Sequence, residues 1–369
     1  MDALIFNSVE QMTSVVGLRA IIGEAVTVVK RSPLPVAHHS GNTLERVIAR
    51  RRGMERRFVL KRFSIERDWI MRLTHDDAVR ELALFRHGIY TRLPDTCYVP
   101  IIAAARDGSS WASLMADVTD GLAPADDAPI AAADLRRYLA QLAAVHARFL
   151  HDDSLLDPAL GLSTVRDFAL ILSPRLVRDE CAEGRGHAVL EAAQRGWRVF
   201  DEIAPPEVVQ AIEHLERAPD PLLALIDHMP HTLVHGDFKT ANLGAWPPVV
   251  PGEPASTHRT IILDWQDATY GPPLLDLGYF LAISALRLPV TKEAAIQMYR
   301  DALTACGYRY PQQTWQRDLD LGLLTGGALR LLWQKALGTQ AQDPKLRQRQ
   351  REEVRWWSTV VLRAGRWLT

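Results

Sequence analysis

Hydrophobic and polar positions alternate over short distances in the first third of the chain. Two runs rich in β-branched and aromatic residues, 24–30 (EAVTVVK) and 56–63 (RRFVLKRF), flank a turn-forming segment at 39–42 (HSGN). Runs of this length, bounded by Gly, Asn and Ser, predict successive antiparallel strands. The segment 76–87 (DDAVRELALFRH) instead spaces its apolar residues at helical intervals behind two aspartates suited to a helix start, which predicts one helix.

Two more strand-like runs follow, 97–102 (CYVPII) and 111–116 (WASLMA). Asp107 and Gly108 between them are a pair typical of hairpin turns. Residues 1–118 are therefore predicted to form a small antiparallel sheet with one main helix.

The pattern changes near Asp120, where Gly121 and Pro124 interrupt both periodicities. Beyond them, 131–150 (AAADLRRYLAQLAAVHARFL) is rich in Ala and Leu at helical spacing, and further helical patterns occur toward the C-terminus. The predicted fold class is α+β, with an N-terminal domain at 1–118 and a larger, mostly helical domain at 119–369.

Composition and charge narrow the possible partners. The chain has 369 residues, and 43 Lys and Arg against 44 Asp and Glu give a formal net charge of -1. No overall field attracts nucleic acid or an anionic membrane, so any phosphate site is expected to be local. The 3 cysteines are far apart, and neither a signal peptide nor a membrane span is recognised, so we predict a cytoplasmic protein.

The most informative stretch is 235–243 (HGDFKTANL), with 261–267 (IILDWQD) after it. Phosphoryl transfer to an alcohol needs a carboxylate beside the attacking hydroxyl and oxygen ligands that hold Mg²⁺ against a triphosphate. Asp237 precedes Asn242 by the spacing of the base and the metal-binding Asn in the catalytic loop of kinases. Asp264 ends an apolar strand-like run, which predicts that it faces the metal. We predict Asp237 as catalytic base and Asn242 with Asp264 as Mg²⁺ ligands; loop capping by Asp and Asn is the alternative.

A lysine and a glutamate are expected to position the phosphates. Lys61 ends an apolar run, where a kinase carries the amine that contacts the α- and β-phosphates. Its ion-pair partner should be a helical glutamate. Glu81 lies in the predicted helix, whereas Glu66 and Glu55 are alternatives by order alone.

A short turn before the second strand is a candidate phosphate-binding loop. Backbone N–H groups in such a turn can approach phosphate oxygens, because a glycine has no Cβ to clash. The turn consists of Ser40, Gly41, Asn42 and Thr43. The absence of GxxxxGK[ST] and GxGxxG argues against a P-loop enzyme or a dinucleotide-binding domain.

HGDFKTAN and IILDW together resemble the catalytic motifs of the aminoglycoside phosphotransferase and choline kinase-like superfamily, including its ecdysteroid kinase-like members. The resemblance runs from about Glu24 to Ser284. It implies a two-lobed protein-kinase-like fold with a nucleotide-binding N-terminal lobe and a catalytic, acceptor-binding C-terminal lobe. It also implies a small-molecule kinase that uses ATP or GTP with Mg²⁺. The acceptor would be an aminoglycoside-, sugar-, amino-alcohol- or steroid-like alcohol, and the protein a monomer or homodimer.

The resemblance also implies roles for single residues. SLMADVTDG is similar to the hinge whose backbone reads the nucleotide base, so the adenine pocket is implied to be lined by Met115, Ala116, Asp117 and Val118. In GPPLLDLGYF, Asp276 resembles the helix-start aspartate that braces the catalytic loop. We interpret His235 as a second structural support and Asp267 as a solvated or capping carboxylate. The acceptor cleft would lie on helices at about 164–233, where no specificity motif is recognised.

The chain also departs from protein kinases. Gly236 replaces the Arg that usually receives an activation-loop phosphate, and Trp265 and Gln266 stand where Phe and Gly would. These departures favour a small-molecule kinase over a regulated protein kinase. Two alternatives stay open: a pseudokinase that binds nucleotide without transfer, and a metal-dependent hydrolase that uses His235 and Asp237 as ligands.

Overall fold

The computed structural model describes residues 3–23, 26, 28–34, 40–51, 54–124, 127–248 and 258–368. The chain divides into two compact units. The first unit comprises Met1–Ala123, Asp157–Leu162 and Asn242–Gln266, and the second comprises Pro124–Leu156, Ser163–Ala241 and Asp267–Thr369. The domain boundary predicted between residues 118 and 119 stays a prediction.

The described residues form short strands and many helices. The strands are β1 (Ile5–Phe6), β2 (Val28–Pro33), β3 (Thr43–Arg51), β4 (Met54–Arg62), β5 (Cys97–Tyr98), β6 (Ile101–Asp107), β7 (Ser110–Ala116), β8 (Thr232–Val234), β9 (Leu243–Trp246), β10 (Arg259–Ile262) and β11 (Thr269–Gly271). The helices are α1 (Val9–Met12), α2 (Val15–Ile22), α3 (Trp69–Leu73), α4 (Arg80–Arg86), α5 (Ala132–Arg148), α6 (Val165–Leu170), α7 (Pro174–Ala182), α8 (Ala188–Ile203), α9 (Pro206–Arg217), α10 (Asp220–Asp227), α11 (Leu274–Ile283), α12 (Lys292–Ala305), α13 (Gln312–Leu323), α14 (Leu329–Gly338) and α15 (Pro344–Gly365). A π-helical segment, Leu324–Ala328, joins α13 to α14.

A six-stranded sheet in the order β1-β6-β7-β4-β3-β2 is the centre of the first unit. Neighbouring strands are antiparallel except for β1 and β6, which run parallel. Gly108, at φ 61°, turns the chain between β6 and β7 as predicted. The strand predicted at 24–30 is β2, described from Val28 onward; Glu24, Ala25 and Thr27 lie outside the described residues.

Helices pack on both faces of this sheet. Successive side chains of a strand point to opposite sides, so one strand supplies apolar side chains to both faces. On one face, Phe58 and Leu60 of β4 pack in a buried cluster with Leu18 of α2. On the other face, Phe63 packs in a second cluster with Leu82 of α4. A polar side chain between Leu60 and Phe63 can therefore face α4.

Helix α4 begins later than the sequence pattern suggests. Its first residue is Arg80, and the preceding Val79 has the left-handed backbone angle φ 55°. The Asp76 carboxylate accepts a hydrogen bond from the Arg80 backbone N–H at 2.7 Å. The predicted aspartate therefore contacts the helix start, but from four residues ahead of the first helical residue.

The first unit also contains a small sheet in which β10 lies between β5 and β9. Strand β10 runs parallel to β5 and antiparallel to β9, with Ile262 opposite Leu243. This pairing matters for the site, because polar residues follow β10 and precede β9 at the same end of the ladder.

The second unit is mostly helical and is built around α11. Every residue from Leu274 to Ala282 is buried, as expected for a helix that is apolar on all sides. Gly278 allows α13 to approach closely, since a Cβ there would lie 2.7 Å from the Gly322 carbonyl oxygen. The predicted α+β class is confirmed. No helix within the described ranges is both long enough and apolar enough to cross a membrane.

Candidate active site

Lys61 of β4 holds its amine between two carboxylates. The Nζ atom lies 2.5 Å from Glu81 Oε2, on the first turn of α4, and 2.7 Å from Asp264 Oδ1, just beyond β10. Glu81 is thus the ion-pair partner among the glutamates considered from the sequence, while Glu55 pairs with Arg50 at 3.2 Å. Three segments far apart in sequence meet at one amine.

The two carboxylates differ in exposure. Burial alone would lower the pKa of Lys61, but Asp264 and Glu81 outweigh it, and the pKa of the amine is raised. Burial raises the pKa of Glu81, although the Lys61 charge opposes this. The Glu81 side chain is only 2% exposed, whereas that of Asp264 is 33% exposed. Glu81 is therefore the buried anchor, and Asp264 is the carboxylate that an incoming cation can reach.

Asn242 and Asp264 lie at the same end of the β9–β10 ladder. The Leu263 N–H donates to the Asn242 carbonyl at 2.9 Å, directly beyond the last ladder pair. Asp264 follows with φ 64°, a left-handed conformation that turns the chain sharply at this point. A carboxylate and an amide oxygen are hard donors, and Mg²⁺ in nucleotide enzymes takes few protein ligands beside phosphates and water. The pair fits Mg²⁺ in donor chemistry.

Across the described part of the chain, no three His, Cys, Asp or Glu side chains are grouped to hold a metal ion.

The turn predicted to contact phosphate is held at two points. Gly41 has φ 117°, and a Cβ there would lie 2.1 Å from the Arg67 carbonyl oxygen, so only glycine fits. The Asn42 side-chain amide donates to Gln266 Oε1 at 3.0 Å. Because Gln266 is two residues beyond Asp264, this bond ties the turn Ser40–Thr43 to the segment of the predicted metal ligand. Phosphate contact by the turn stays a prediction.

The predicted hinge includes a backbone donor that is available to a ligand. Met115 and Ala116 end β7, and Val118 is buried. The backbone N–H groups of Ala116 and Asp117 already donate to carbonyl oxygens, at 2.9 and 3.2 Å. The Val118 N–H has no hydrogen-bond partner within the described residues. The Val118 N–H is therefore available to a ligand, and base contact by these four residues stays a prediction.

In the second unit, Asp237 lies in the loop after β8 with its carboxylate hydrogen-bonded on both oxygens. Tyr279 Oη of α11 donates to Oδ1 at 2.6 Å, and Lys239 Nζ lies 2.7 Å from Oδ2. Asp237 is buried. The sequence did not identify Lys239 or Tyr279 as partners of Asp237, although Lys239 lies within HGDFKTANL and Tyr279 within GPPLLDLGYF.

Asp276 and His235 support this loop through backbone groups. The Asp276 carboxylate accepts the N–H of His235 at 2.7 Å and the N–H of Gly236 at 2.8 Å, and it also contacts His146 Nε2 at 3.1 Å. Burial would raise the pKa of Asp276, but the bonds and charges of His146 and His235 hold it below its ordinary value. His235 Nδ1 in turn accepts the Asp237 N–H at 3.1 Å. These bonds are what a bracing role requires, and the roles themselves stay predictions.

Asp267 is not a solvated carboxylate, so that interpretation of the sequence is wrong. It is buried and forms an ion pair of 2.8 Å with Arg330 of α14. Arg330 also donates to the Gly236 carbonyl at 3.2 Å, and its guanidinium lies 4.9 Å from the centre of the Tyr279 ring. No local pattern could have identified Arg330, since it lies 94 residues from Gly236 in sequence.

The predicted site residues thus form two groups. Lys61, Glu81 and Asp264 are in direct contact in the first unit, with Asn242 and Asn42 linked to the same segment by hydrogen bonds. Asp237, His235 and Asp276 form a hydrogen-bonded group in the second unit.

Comparisons with known proteins agree with the motifs. The sequence model of one family, described as the phosphotransferase enzyme family, matches residues 37–312. No match is found among curated proteins.

Solved structures with a similar fold include an ethanolamine kinase from Plasmodium vivax. It is 10% identical, with a TM-score of 0.50 over 89% of this chain and 82% of its own. An aminoglycoside phosphotransferase from Streptomyces rimosus, solved with ADP and streptomycin, is 17% identical, with a TM-score of 0.45 over 86% of this chain and 100% of its own. At such identities only the fold is compared, and the predicted kinase-like fold is confirmed.

Proposed function

Because this chain belongs to the phosphotransferase enzyme family, we propose that it is a small-molecule kinase that transfers the γ-phosphoryl group of ATP or GTP to a hydroxyl. The observation that carries the proposal is the Lys61 amine held between the carboxylates of Glu81 and Asp264. A buried amine on a strand, anchored by a helical glutamate and next to a more exposed aspartate, is the arrangement with which kinases hold a triphosphate.

The nucleotide side of the reaction falls to the first unit. Lys61 would contact the α- and β-phosphates, and Glu81 would keep the amine charged and in place. Asp264, the more exposed partner, would release the amine and hold Mg²⁺ together with Asn242. The metal supplies charge neutralisation for the phosphates. Val118 would donate its backbone N–H to the base, and the turn at 40–43 would approach the phosphates.

The acceptor side falls to Asp237. Its carboxylate would orient the acceptor hydroxyl and take the proton as the new O–P bond forms. The bond from the γ-phosphorus to the bridging oxygen then breaks, and the nucleoside diphosphate leaves. Positioning and charge neutralisation carry most of the catalysis in such transfers. Lys239, which contacts the same carboxylate, adds a positive charge on this side.

The acceptor is proposed only as a class, an alcohol of aminoglycoside-, sugar-, amino-alcohol- or steroid-like structure. No nucleic acid or membrane partner is proposed, and a cytoplasmic location and a monomeric or homodimeric state also remain proposals. The alternative is a pseudokinase, which binds nucleotide without phosphoryl transfer. An intact motif is compatible with both, so a transfer assay must distinguish a kinase from a pseudokinase.

The test is a transfer assay with γ-labelled ATP or GTP, Mg²⁺ and a panel of alcohols from these classes. Label should pass to at least one alcohol with the natural protein. It should not pass with Asp237→Asn, whose affinity for the nucleotide, measured by calorimetry, should stay unchanged. Transfer by Asp237→Asn at the natural rate would refute the assignment of the base. Nucleotide binding without transfer to any alcohol would refute the kinase proposal and favour the pseudokinase alternative.

A further inference from the structure

Helix α11 contacts the loop of Asp237 at two points that lie one helical turn apart. Asp276 accepts the backbone N–H groups of His235 and Gly236, and Tyr279, three residues later, donates its hydroxyl to the Asp237 side chain. Residues three apart are neighbours on one face of a helix. A single helix face therefore holds both the backbone of the loop and the carboxylate that it presents.

The hydrogen bond from Tyr279 is short and buried. It measures 2.6 Å, and the tyrosine is buried. Burial, and next the charge of Asp237, raise the pKa of the Tyr279 hydroxyl far above its ordinary range, so the hydroxyl keeps its proton at any working pH. It can only donate to the carboxylate and cannot compete for the proton of an acceptor.

The two oxygens of Asp237 consequently differ. Oδ1 is bonded to the buried hydroxyl of Tyr279, whereas Oδ2 is next to the Lys239 amine, whose side chain is 26% exposed. A flexible, partly exposed amine can move aside for a substrate, but a buried aromatic side chain cannot. Oδ2 is therefore the oxygen that an acceptor hydroxyl can reach.

The ring of Tyr279 is itself held in place. The Arg330 guanidinium lies 4.9 Å from its centre, and the same guanidinium is fixed by Asp267 at 2.8 Å and by the Gly236 carbonyl at 3.2 Å. A hydroxyl on a ring clamped in this way has little freedom to turn away from Asp237. The carboxylate is therefore set in one orientation before any substrate binds.

We propose that Tyr279 is a positioning residue that fixes the Asp237 carboxylate by occupying Oδ1, and that Oδ2 takes the proton of the acceptor hydroxyl. The inference rests on the proposed kinase function. The proton passes from the acceptor hydroxyl to Oδ2 while the acceptor oxygen bonds to the γ-phosphorus and the nucleoside diphosphate leaves. Tyr279 keeps its own proton throughout.

The test compares Tyr279→Phe with Tyr310→Phe. Both remove one hydroxyl from a buried tyrosine that donates to a buried aspartate, Tyr310 to Asp318 at 3.1 Å on α13. Hydrogen bonds to charged groups contribute enough that kcat of Tyr279→Phe should fall about 10- to 100-fold, with KM for nucleotide and acceptor within about twofold of the natural values. Tyr310→Phe should keep kcat. An equal fall of kcat in both variants would mean that a general loosening of the unit is responsible, and would overturn the proposal.

A second measurement is independent of turnover. A buried, hydrogen-bonded hydroxyl proton exchanges slowly and gives a downfield proton NMR signal. One such signal should vanish in Tyr279→Phe, shift in Asp237→Asn and stay in Tyr310→Phe. If no alcohol is phosphorylated but this pattern appears, the kinase proposal fails while the contact stands. If Asp237→Asn leaves the Tyr279 signal in place, Tyr279 does not act on that carboxylate, and the inference fails even in an active kinase.

Discussion

The two units each place an ion pair at the predicted chemistry, but with opposite arrangements of charge. In the first unit one amine, that of Lys61, lies between the two carboxylates of Glu81 and Asp264. In the second unit one carboxylate, that of Asp237, lies between an amine and a neutral hydroxyl. The first group has an excess of negative charge by formal count, whereas the second is neutral.

Under the proposed function, this difference separates two tasks. An excess of negative charge attracts a divalent cation and repels a bare polyphosphate, so the first group is suited to a nucleotide that arrives with its metal. The second group has no net charge, and an uncharged hydroxyl needs no charge to attract it. What this group must supply is a correctly oriented carboxylate. The first unit is thus organised by charge, and the loop of the second unit by hydrogen bonds.

The largest effect is expected when the amine of the first group is removed. Lys61→Met leaves the buried Glu81 facing Asp264 without a counter-charge, and breaking a buried ion pair in this way costs about 3–5 kcal/mol of stability. Loss of a positioned charge should also lower kcat by about 100- to 1000-fold. Urea unfolding and the transfer assay measure the two effects separately.

A double variant distinguishes charge from shape. Lys61→Met with Glu81→Gln removes the unpaired buried carboxylate, so most of the lost stability should return while transfer stays low. If the double variant is as unstable as Lys61→Met alone, the destabilisation comes from lost packing. Charge would then not be what organises the group around Lys61, and the contrast with the hydrogen-bonded loop of Asp237 would fail.

A smaller loss is expected from the brace of the second unit. Asp276→Asn keeps the shape of the side chain but replaces one acceptor oxygen by an amide donor, which then faces a backbone N–H of the loop. A buried donor without an acceptor costs about 1–3 kcal/mol, and we expect about 2 kcal/mol here together with a lower kcat. Asp318→Asn, at a buried aspartate of α13 that does not contact the loop, is the control: its stability falls, but its kcat stays. A kcat that falls equally in both would contradict the predicted bracing role of Asp276.

The sequence predicted which charged side chains meet, whereas it did not predict the partners of the buried polar groups around them. Lys61 and Asp264 were selected because each ends an apolar strand-like run, and Glu81 because it lies in the predicted helix after that lysine. The fold class followed from the same periodicities. These are local rules, and they hold wherever a polar residue ends an apolar strand.

The partners of buried polar groups could not be found in this way. Tyr279 stands inside the GPPLLDLGYF stretch, yet nothing in that pattern says that its hydroxyl meets Asp237, 42 residues away in sequence. Asp267 seemed suited to solvent but is buried, because Arg330 arrives from 63 residues away. Such partners are brought together by tertiary packing, and the local pattern of apolar positions does not predict which residues they are.

Lys335 of the second unit is a direct contrast to Lys61. It is also a buried lysine, but the carboxylates near its amine are different. Glu353, the carboxylate whose charge acts on it, forms an ion pair of 2.6 Å with Lys292, and within the described residues Lys335 has no ion pair of its own. Burial lowers its pKa from 10.5 to about 8, Glu353 opposes this, and Lys292 adds to it. Two carboxylates raise the pKa of one buried lysine above its ordinary value, whereas a single shared carboxylate does not offset the effect of burial on the other.

The smallest effect is therefore expected from Lys335→Met, and it should be a gain. A lysine whose folded-state pKa is about 8, against 10.5 unfolded, binds its proton more weakly in the folded protein, so it destabilises the fold below pH 8. Replacing it by Met should raise the free energy of unfolding by about 1–2 kcal/mol at neutral pH. As the pH rises from about 8 toward 10.5, the natural protein loses this penalty and the gap should narrow. Urea unfolding at both ends of this window measures the gap. A gap that stays constant with pH would mean that Lys335 is stabilised by contacts other than charge, and that two carboxylates are not what distinguishes Lys61.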